Sequence, residues 1–336
     1  MKFDVIIGNP PYQVSDGGGT GDSAKPVYND FIDVAKSMRP EILSMICPSR
    51  WMKGGKGLDT FRNNMMNDTH IKSIYDFEKS SEFFPAVHID GGVCYFLWSR
   101  DYNDKCNFYH KDLNGFEDIS FRYLMNDVSN TIIRDSRQYS IIKKAKSDKR
   151  FSDIVYSRNP YGFCADFFNM PEKYPEIKQY NTCPNNMNFV KIYGVKGKKG
   201  GAKRVTTYIE TETVCRNQQD ISKYKLFFSK AYMATSTVPP EIIIGNPNDI
   251  CTETFLQIGP FDTLQIANNA LSYIKTKFFR ALLFYNRHSL NISQESFSLI
   301  PLQDFNEFWT DDKLYKKYGL TQEEIDFIES MIKPME

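Results

Sequence analysis

The sequence predicts an α/β fold: an open sheet that presents the carboxyl ends of its strands to a ligand, followed by a second, α+β domain. Three observations predict it. Val5-Ile6-Ile7 is an apolar run stopped abruptly by Gly8 and two prolines, which reads as a short, fully buried strand. Up to about residue 105, further apolar runs alternate with an amphipathic helix and polar stretches. From Phe151 the pattern changes to short apolar runs separated by polar, Pro- and Gly-containing segments, as in an irregular strand-rich domain. A chain of 336 residues is long enough for two domains.

The first strand places Asn9 at its carboxyl end, the edge where ligands bind in open α/β sheets. Pro10 and Pro11 fix φ and remove two backbone donors, so the carbonyls of Asn9 and Pro10 have no ladder to join and can point into a pocket. Asn9 adds a side-chain carbonyl and Tyr12 a flat aromatic face. An exocyclic amino group on a planar ring needs this set: two acceptors for two N–H bonds, and a surface to stack on. Tyr28, Phe31, Ile32 and Ala35 are spaced for one buried helical face. A strand from Pro40 to a Pro48-Ser49 turn follows, then a polar stretch, a strand over Ile71–Phe77, the run Phe83-Phe84-Pro85-Ala86-Val87 and a strand from Gly91 to Trp98. Residues 106–150 read as a connection with helical spacing in Ile132, Ile133, Tyr139, Ile141, Ile142 and Ala145. Lys225–Phe228 and Glu241–Gly245 read as short strands, Gly245-Asn246-Pro247-Asn248 as a turn, and Leu264–Asn286 as two helices.

Asn9-Pro10-Pro11-Tyr12 after an apolar strand resembles the catalytic motif of S-adenosylmethionine-dependent amino-methyltransferases, above all the DNA adenine-N6 enzymes of restriction–modification systems (the gamma-like class). The resemblance implies that Asn9 and the Pro10 carbonyl, presented by the rigid Pro10-Pro11 pair, hold the target amine, and that Tyr12 stacks on a flipped adenine. The strand ending at Pro48-Ser49 is similar to the next strand of that family. An aromatic before a proline closes over the base in related enzymes; this implies Phe84 as the second stacking face, with Phe83 as fallback, although Phe83 reads better as a core residue. Ile300-Pro301-Leu302 through Trp309, Tyr315, Leu320 and Ile325 resembles the tail after the recognition domain of large adenine-specific methylases. The implied fold is a partial doubly wound, Rossmann-like methyltransferase sheet over residues 1–105, a helical connection over 106–150, and a target-recognition domain with its tail over 151–336.

The family holds its cofactor with an earlier half of the sheet, carrying a glycine-rich turn and an acidic residue. No such stretch precedes Phe3. Gly194–Gly201 is glycine-rich but basic, Phe255–Phe261 has one glycine, and Gly17-Gly18-Gly19-Thr20-Gly21 follows the catalytic turn and reads as a mobile loop. The expectation is a catalytic and recognition portion whose S-adenosylmethionine site is completed by residues outside this chain, on a cofactor-binding half or subunit.

Net charge is +1, so composition does not advertise nucleic acid, but the distribution does more. Between Gln303 and Glu336 nine acidic residues face four basic ones, net −5, which leaves +6 for the rest. Lys191, Lys196, Lys198, Lys199, Lys203 and Arg204 fall within fourteen residues that hold no acid, a candidate contact for the phosphates of double-stranded DNA, or equally a solvated hairpin. Seven cysteines without a CxxC pair imply reduced thiols in a cytoplasmic protein and no zinc site, and four histidines share no metal spacing with them. His88, near Phe84 in sequence, reads as packing or solvent-facing. No long apolar span supports a membrane protein. Two other readings stay open: a non-catalytic DNA-recognition subunit, and an RNA- or protein-modifying enzyme using the same turn. No Asp…Glu-x-Lys cluster marks a nuclease.

Overall fold

The computed structural model describes residues 3–15, 24–85, 87, 89–184, 188–197, 201–231, 236–286 and 291–335. The chain is mixed α/β and divides into two compact units, Met1–Ser140 and Ile141–Glu336.

The first unit contains β1 (Val5–Gly8), β2 (Gln13–Ser15), β3 (Ala24–Pro26), α1 (Tyr28–Ser37), β4 (Ile42–Pro48), α2 (Asp59–Asn67), β5 (Ile71–Phe77), β6 (Val93–Ser99), β7 (Cys106–Lys111) and β8 (Glu117–Arg122), and α3 (Ser136–Lys144) spans its end at Ser140. Six strands form one sheet in the order β1-β4-β6-β5-β7-β8. β1 runs parallel to β4, with Gly8 opposite Met45, and β5 parallel to β7; β6 is antiparallel to both β4 and β5. The carboxyl ends of β1, β4, β5 and β7 therefore share one edge of the sheet.

Both α1 and α2 pack on the same sheet face. Tyr28, Ile32 and Ala35 of α1 and Phe61, Met65 and Met66 of α2 bury against Leu43, Met45, Cys47, Ile74, Cys94, Phe96 and Phe108. On the opposite face Tyr75, Tyr95 and Tyr109 lie side by side across β5, β6 and β7, with Tyr75 and Tyr95 stacked at 4.8 Å. Among the described residues no helix of this unit joins that second face, so the cover on both faces that defines a doubly wound sheet is not met within it.

Three expectations change. β1 is not fully buried: Ile6 reaches the core, but Val5 is 52% and Ile7 78% exposed, because alternate side chains point to opposite faces and theirs is the one without a helix among the described residues. Phe31 is half exposed and forms a second stripe with Val34 and Met38 on α1, since the face that meets the sheet is set by Tyr28, Ile32 and Ala35. The stretch 106–150 is helical only over Ser136–Lys144, and it opens with the two strands β7 and β8, whose alternating pattern extends the sheet.

The second unit contains β9 (Val155–Tyr156), β10 (Phe189–Lys196), β11 (Lys203–Glu210), β12 (Tyr224–Ser229), β13 (Ile243–Gly245), β14 (Asp249–Cys251), β15 (Phe255–Phe261), α4 (Leu264–Lys275), α5 (Lys277–Tyr285), α6 (Asp311–Tyr318) and α7 (Gln322–Met331). Its sheets have the orders β11-β10-β14 and β13-β12-β15-β9. Gly245-Asn246-Pro247-Asn248 is a turn clipped by Lys225, whose buried ammonium donates to the carbonyls of Ile221, Asn246 and Asp249. The even spacing of Ala270, Ile274, Phe278 and Leu282 crosses a break between α4 and α5, where Thr276 caps the second helix through Phe279 N–H. No helix among the described residues is long and apolar enough to cross a membrane.

Candidate functional site

Strand β1 delivers Asn9 exposed, Pro10 buried, Pro11 exposed and Tyr12 half-buried to the carboxyl edge of the sheet. The turn is pinned behind Tyr12 by Val27 N–H, which donates to the Tyr12 carbonyl at 3.3 Å just before α1 begins. Tyr12 sits edge-on to two rings: Tyr28 at 6.5 Å and 82°, and Phe84 at 6.2 Å and 85°. Phe84 comes from the segment after β5, held by its N–H to Ser80 C=O at 2.9 Å. Burial, and then the neighbouring Cys47 and Cys94 thiols, push the Tyr12 hydroxyl up to about 12, so it stays protonated at neutral pH. Its oxygen is buried without a hydrogen-bond partner among the described residues.

Phe83 takes another course. It packs on Phe77 at 4.7 Å and on Tyr95 at 6.3 Å and is 38% exposed, so it belongs to the open sheet face and is not the core residue expected. Lys191, Lys196, Lys203 and Arg204 lie on the β10–β11 hairpin, where Lys196 directly opposes Lys203. Arg204 is engaged by Glu241, its Nη1–H donating to Oε2 at 2.9 Å. Lys198, Lys199 and His88 lie outside the described residues.

The turn after β4 is braced from below by a buried carboxylate. Asp76, fully buried, accepts from Ser49 Oγ–H at 2.5 Å, from Arg134 Nη2–H at 2.7 Å and lies 2.7 Å from His110 Nδ1. Arg134 also donates to the Gly91 carbonyl at 3.0 Å, and Ser49 N–H to the Gly92 carbonyl at 3.0 Å. Burial alone would raise the Asp76 carboxyl; the Arg134 guanidinium and the His110 hydrogen bond outweigh it and hold it below the ordinary carboxylate range. Sequence reasoning missed this network, because its members come from β5, β7, the β4 turn and the segment before α3.

It also passed over Lys53-Gly54-Gly55-Lys56-Gly57, read only as part of a polar stretch. That loop joins β4 to α2, and residues 54–57 all have positive φ, between 51° and 82°. Glycine-rich basic composition directly after the Pro-Ser turn was the available signal. Cys47 and Cys94, opposite each other on β4 and β6, have Sγ atoms 3.8 Å apart and are free thiols.

Of the glycine-rich stretches, Gly17-Gly18-Gly19-Thr20-Gly21 lies outside the described residues. Gly194 and Gly197 belong to the β10–β11 hairpin, and Gly259 lies inside β15. The Lys53–Gly57 loop links a strand to a helix, and Asp59 at the start of that helix accepts from Arg62 at 2.7 Å and from Gly55 N–H at 3.2 Å. No group of three metal-ligating side chains occurs among the described residues.

A family model, Eco57I restriction-modification methylase, matches residues 1–84. A stretch of 107 residues is 43% identical to an uncharacterized adenine-specific methylase of Mycoplasma pneumoniae, over 31% of this chain and 25% of that protein. The chain thus spans about a quarter of that relative's length. Among solved structures it is similar to the type IIG restriction endonuclease BpuSI, with a TM-score of 0.38 and 11% identity over 98% of this chain and 48% of that one. It is also similar to the type IIL restriction-modification enzyme MmeI, solved in complex with DNA, with a TM-score of 0.37 and 10% identity over 88% and 45% of the two chains. The segment that holds Asn9, Tyr12 and Phe84 therefore lies within the residues that match a restriction–modification methylase family.

Proposed function

We propose that this chain is the catalytic and target-recognition portion of a DNA adenine-N6 methyltransferase of a restriction–modification system. The observation that carries the reading is the Asn9-Pro10-Pro11-Tyr12 turn at the carboxyl end of β1 with Phe84 6.2 Å from Tyr12, in a segment that matches a methylase family. An adenine amino group is a poor nucleophile because its lone pair is delocalised into the ring. Acceptors on the Asn9 side chain and the Pro10 carbonyl draw on its two N–H bonds and favour the tetrahedral nitrogen, a gain realised in the transition state. No general base is needed, consistent with a Tyr12 hydroxyl that stays protonated. Because N6 inside a duplex is out of reach, the adenine is flipped and stacks on Tyr12, which offsets lost base stacking by roughly 1–3 kcal/mol.

S-adenosylmethionine, the methyl donor of such enzymes, is held mainly by residues outside this chain. The free edge of β1 supports this: it is flanked by exposed Val5 and Ile7 on one side and by the Phe31, Val34 and Met38 stripe on the other. Burying Ile7 alone contributes up to about 1.5–3 kcal/mol. A cofactor-binding half that adds a strand there completes a Rossmann-like sheet. The paired lysines 196 and 203 suit the phosphate backbone of double-stranded DNA, and the free thiols suit the reducing cytoplasm.

Asn9→Ala tests the reading. It removes one acceptor and leaves the proline turn, so single-turnover methylation by the reconstituted enzyme should fall at least ~100-fold while DNA affinity holds. Near-normal turnover would show that Asn9 is not catalytic.

A further inference from the structure

The loop between β4 and α2 has the makings of an anion site beside the catalytic turn. Because β1 and β4 are parallel neighbours, the 3₁₀ turn Ser49–Met52 leaves the sheet at the same edge as Asn9. It is stitched to that turn by aromatic contacts: Trp51 meets Phe61 at 5.7 Å, Phe61 meets Tyr28 at 6.2 Å, and Tyr28 meets Tyr12 at 6.5 Å. The Arg50 guanidinium lies close enough to Tyr28 to oppose the rise that burial imposes on that hydroxyl.

Among the described residues, Arg50 has its Nε–H buried with no acceptor and no carboxylate within ion-pair distance of its guanidinium. A buried donor left unmade costs about 1–3 kcal/mol, more when charged, unless a ligand accepts from it. Lys56 follows on the exposed loop without an ion-pair partner among the described residues, while the Lys53 ammonium turns toward Arg134, Glu78 and Asp76, where burial and the Arg134 charge lower its pKa. Between them the backbone takes four successive left-handed residues, and a side chain added at Gly55 or Gly57 would meet no atom within 4 Å. These glycines therefore serve backbone conformation and access, not packing. The amides of Lys56 and Gly57 donate to no acceptor among the described residues, which leaves two N–H groups next to three cations. Successive free amides in a turn form an anion-binding concavity.

We propose that Arg50, Lys53, Lys56 and the amides of Lys56 and Gly57 bind the phosphodiester backbone of the target DNA strand beside the extrahelical base. This rests on the adenine-methyltransferase reading and deepens it: the loop would hold the flanking phosphates while Tyr12 holds the base. The contact is distinct from the β10–β11 hairpin, because it engages only when the nucleotide has left the stack.

The test uses the full chain and two fluorescein-labelled duplexes, one fully paired and one with a single adenine opposite an abasic site, followed by anisotropy over a range of salt. Arg50→Gln/Lys53→Gln/Lys56→Gln should bind the duplex with the unpaired adenine about 10-fold or more weaker, with a salt slope shallower by about 2.7, since each of the three lost phosphate contacts removes about 0.9. Lys56→Gln, which touches one exposed side chain, guards against misfolding and should lose about a third of that slope change. Lys196→Gln/Lys203→Gln should weaken both duplexes alike. Unchanged affinity and slope in the triple variant, equal loss on both duplexes, or no DNA binding by the wild-type chain would overturn the loop assignment. If Asn9→Ala still abolishes methylation in the reconstituted enzyme, the proposed function survives that failure.

Discussion

Tyr12 and Phe84 meet edge to face, their ring planes 85° apart and their centroids separated by 6.2 Å. Two rings at that angle cannot both lie flat against one planar base without a side-chain rotation. A base brought between them would stack on one ring and meet the edge of the other.

Tyr12→Ala and Phe84→Ala are therefore expected to differ. With a fluorescent adenine analogue at the target position, Tyr12→Ala should lose most of the extrahelical signal, on the scale of roughly 1–3 kcal/mol for a base–aromatic stack. Phe84→Ala should lose less, and Phe83→Ala should leave the signal intact, because Phe83 packs on Phe77 and Tyr95 on the open sheet face. A larger loss for Phe84→Ala than for Tyr12→Ala would reverse the assigned order.

The carboxylate under the β4 turn predicts a pH dependence. The folded carboxyl of Asp76 titrates below its ordinary value, so its contribution to stability is complete above the unfolded pKa and disappears as pH falls through the folded one. The loss should set in below about pH 4. Urea midpoints measured between pH 3 and pH 7 should show that acid limb in the wild type and a flatter one in Asp76→Asn. Arg134→Met strands a buried carboxylate and should cost about 3–5 kcal/mol at neutral pH. A wild-type-like midpoint for Arg134→Met would mean that the network does not support the fold.

The free edge of β1 predicts association. Strand edges with unpaired amides and apolar neighbours are templates for pairing, and Val5 and Ile7 are exposed beside this one. Sedimentation of the 336-residue chain should show self-association that Ile7→Lys reduces, with thermal stability changed by no more than about 0.5 kcal/mol, as for other surface substitutions. Titration calorimetry with S-adenosylmethionine should give no stoichiometric micromolar isotherm until a cofactor-binding half is added. A tight isotherm from the monomer would place a full cofactor site within these residues.

Local sequence was enough wherever backbone chemistry is local. Gly8 and two prolines end β1 and carry Asn9 and Tyr12 to the sheet edge, because proline fixes φ and cannot join a ladder. The helical spacing of Tyr28, Ile32 and Ala35, the Pro48-Ser49 turn and the helix pair beyond Thr263 depend on periodicity and caps within a few residues. What neighbours each element was a different matter. A run such as Val5-Ile6-Ile7 reads the same whether both edges of the strand are paired or one, and only the strand order leaves β1 at the end of the sheet. The antiparallel insertion of β6 between β4 and β5, the joining of β7 and β8 to the same sheet, and the exposure of Phe31 and Phe83 likewise follow from pairing over long sequence separations. Asp76 and Arg134 are 58 residues apart, and no short-range pattern announces that one will neutralise the other. The Lys53–Gly57 loop was visible as composition, but its place beside Asn9 was decided by the parallel pairing of β1 with β4, which brings two strand ends together that the chain separates by forty residues.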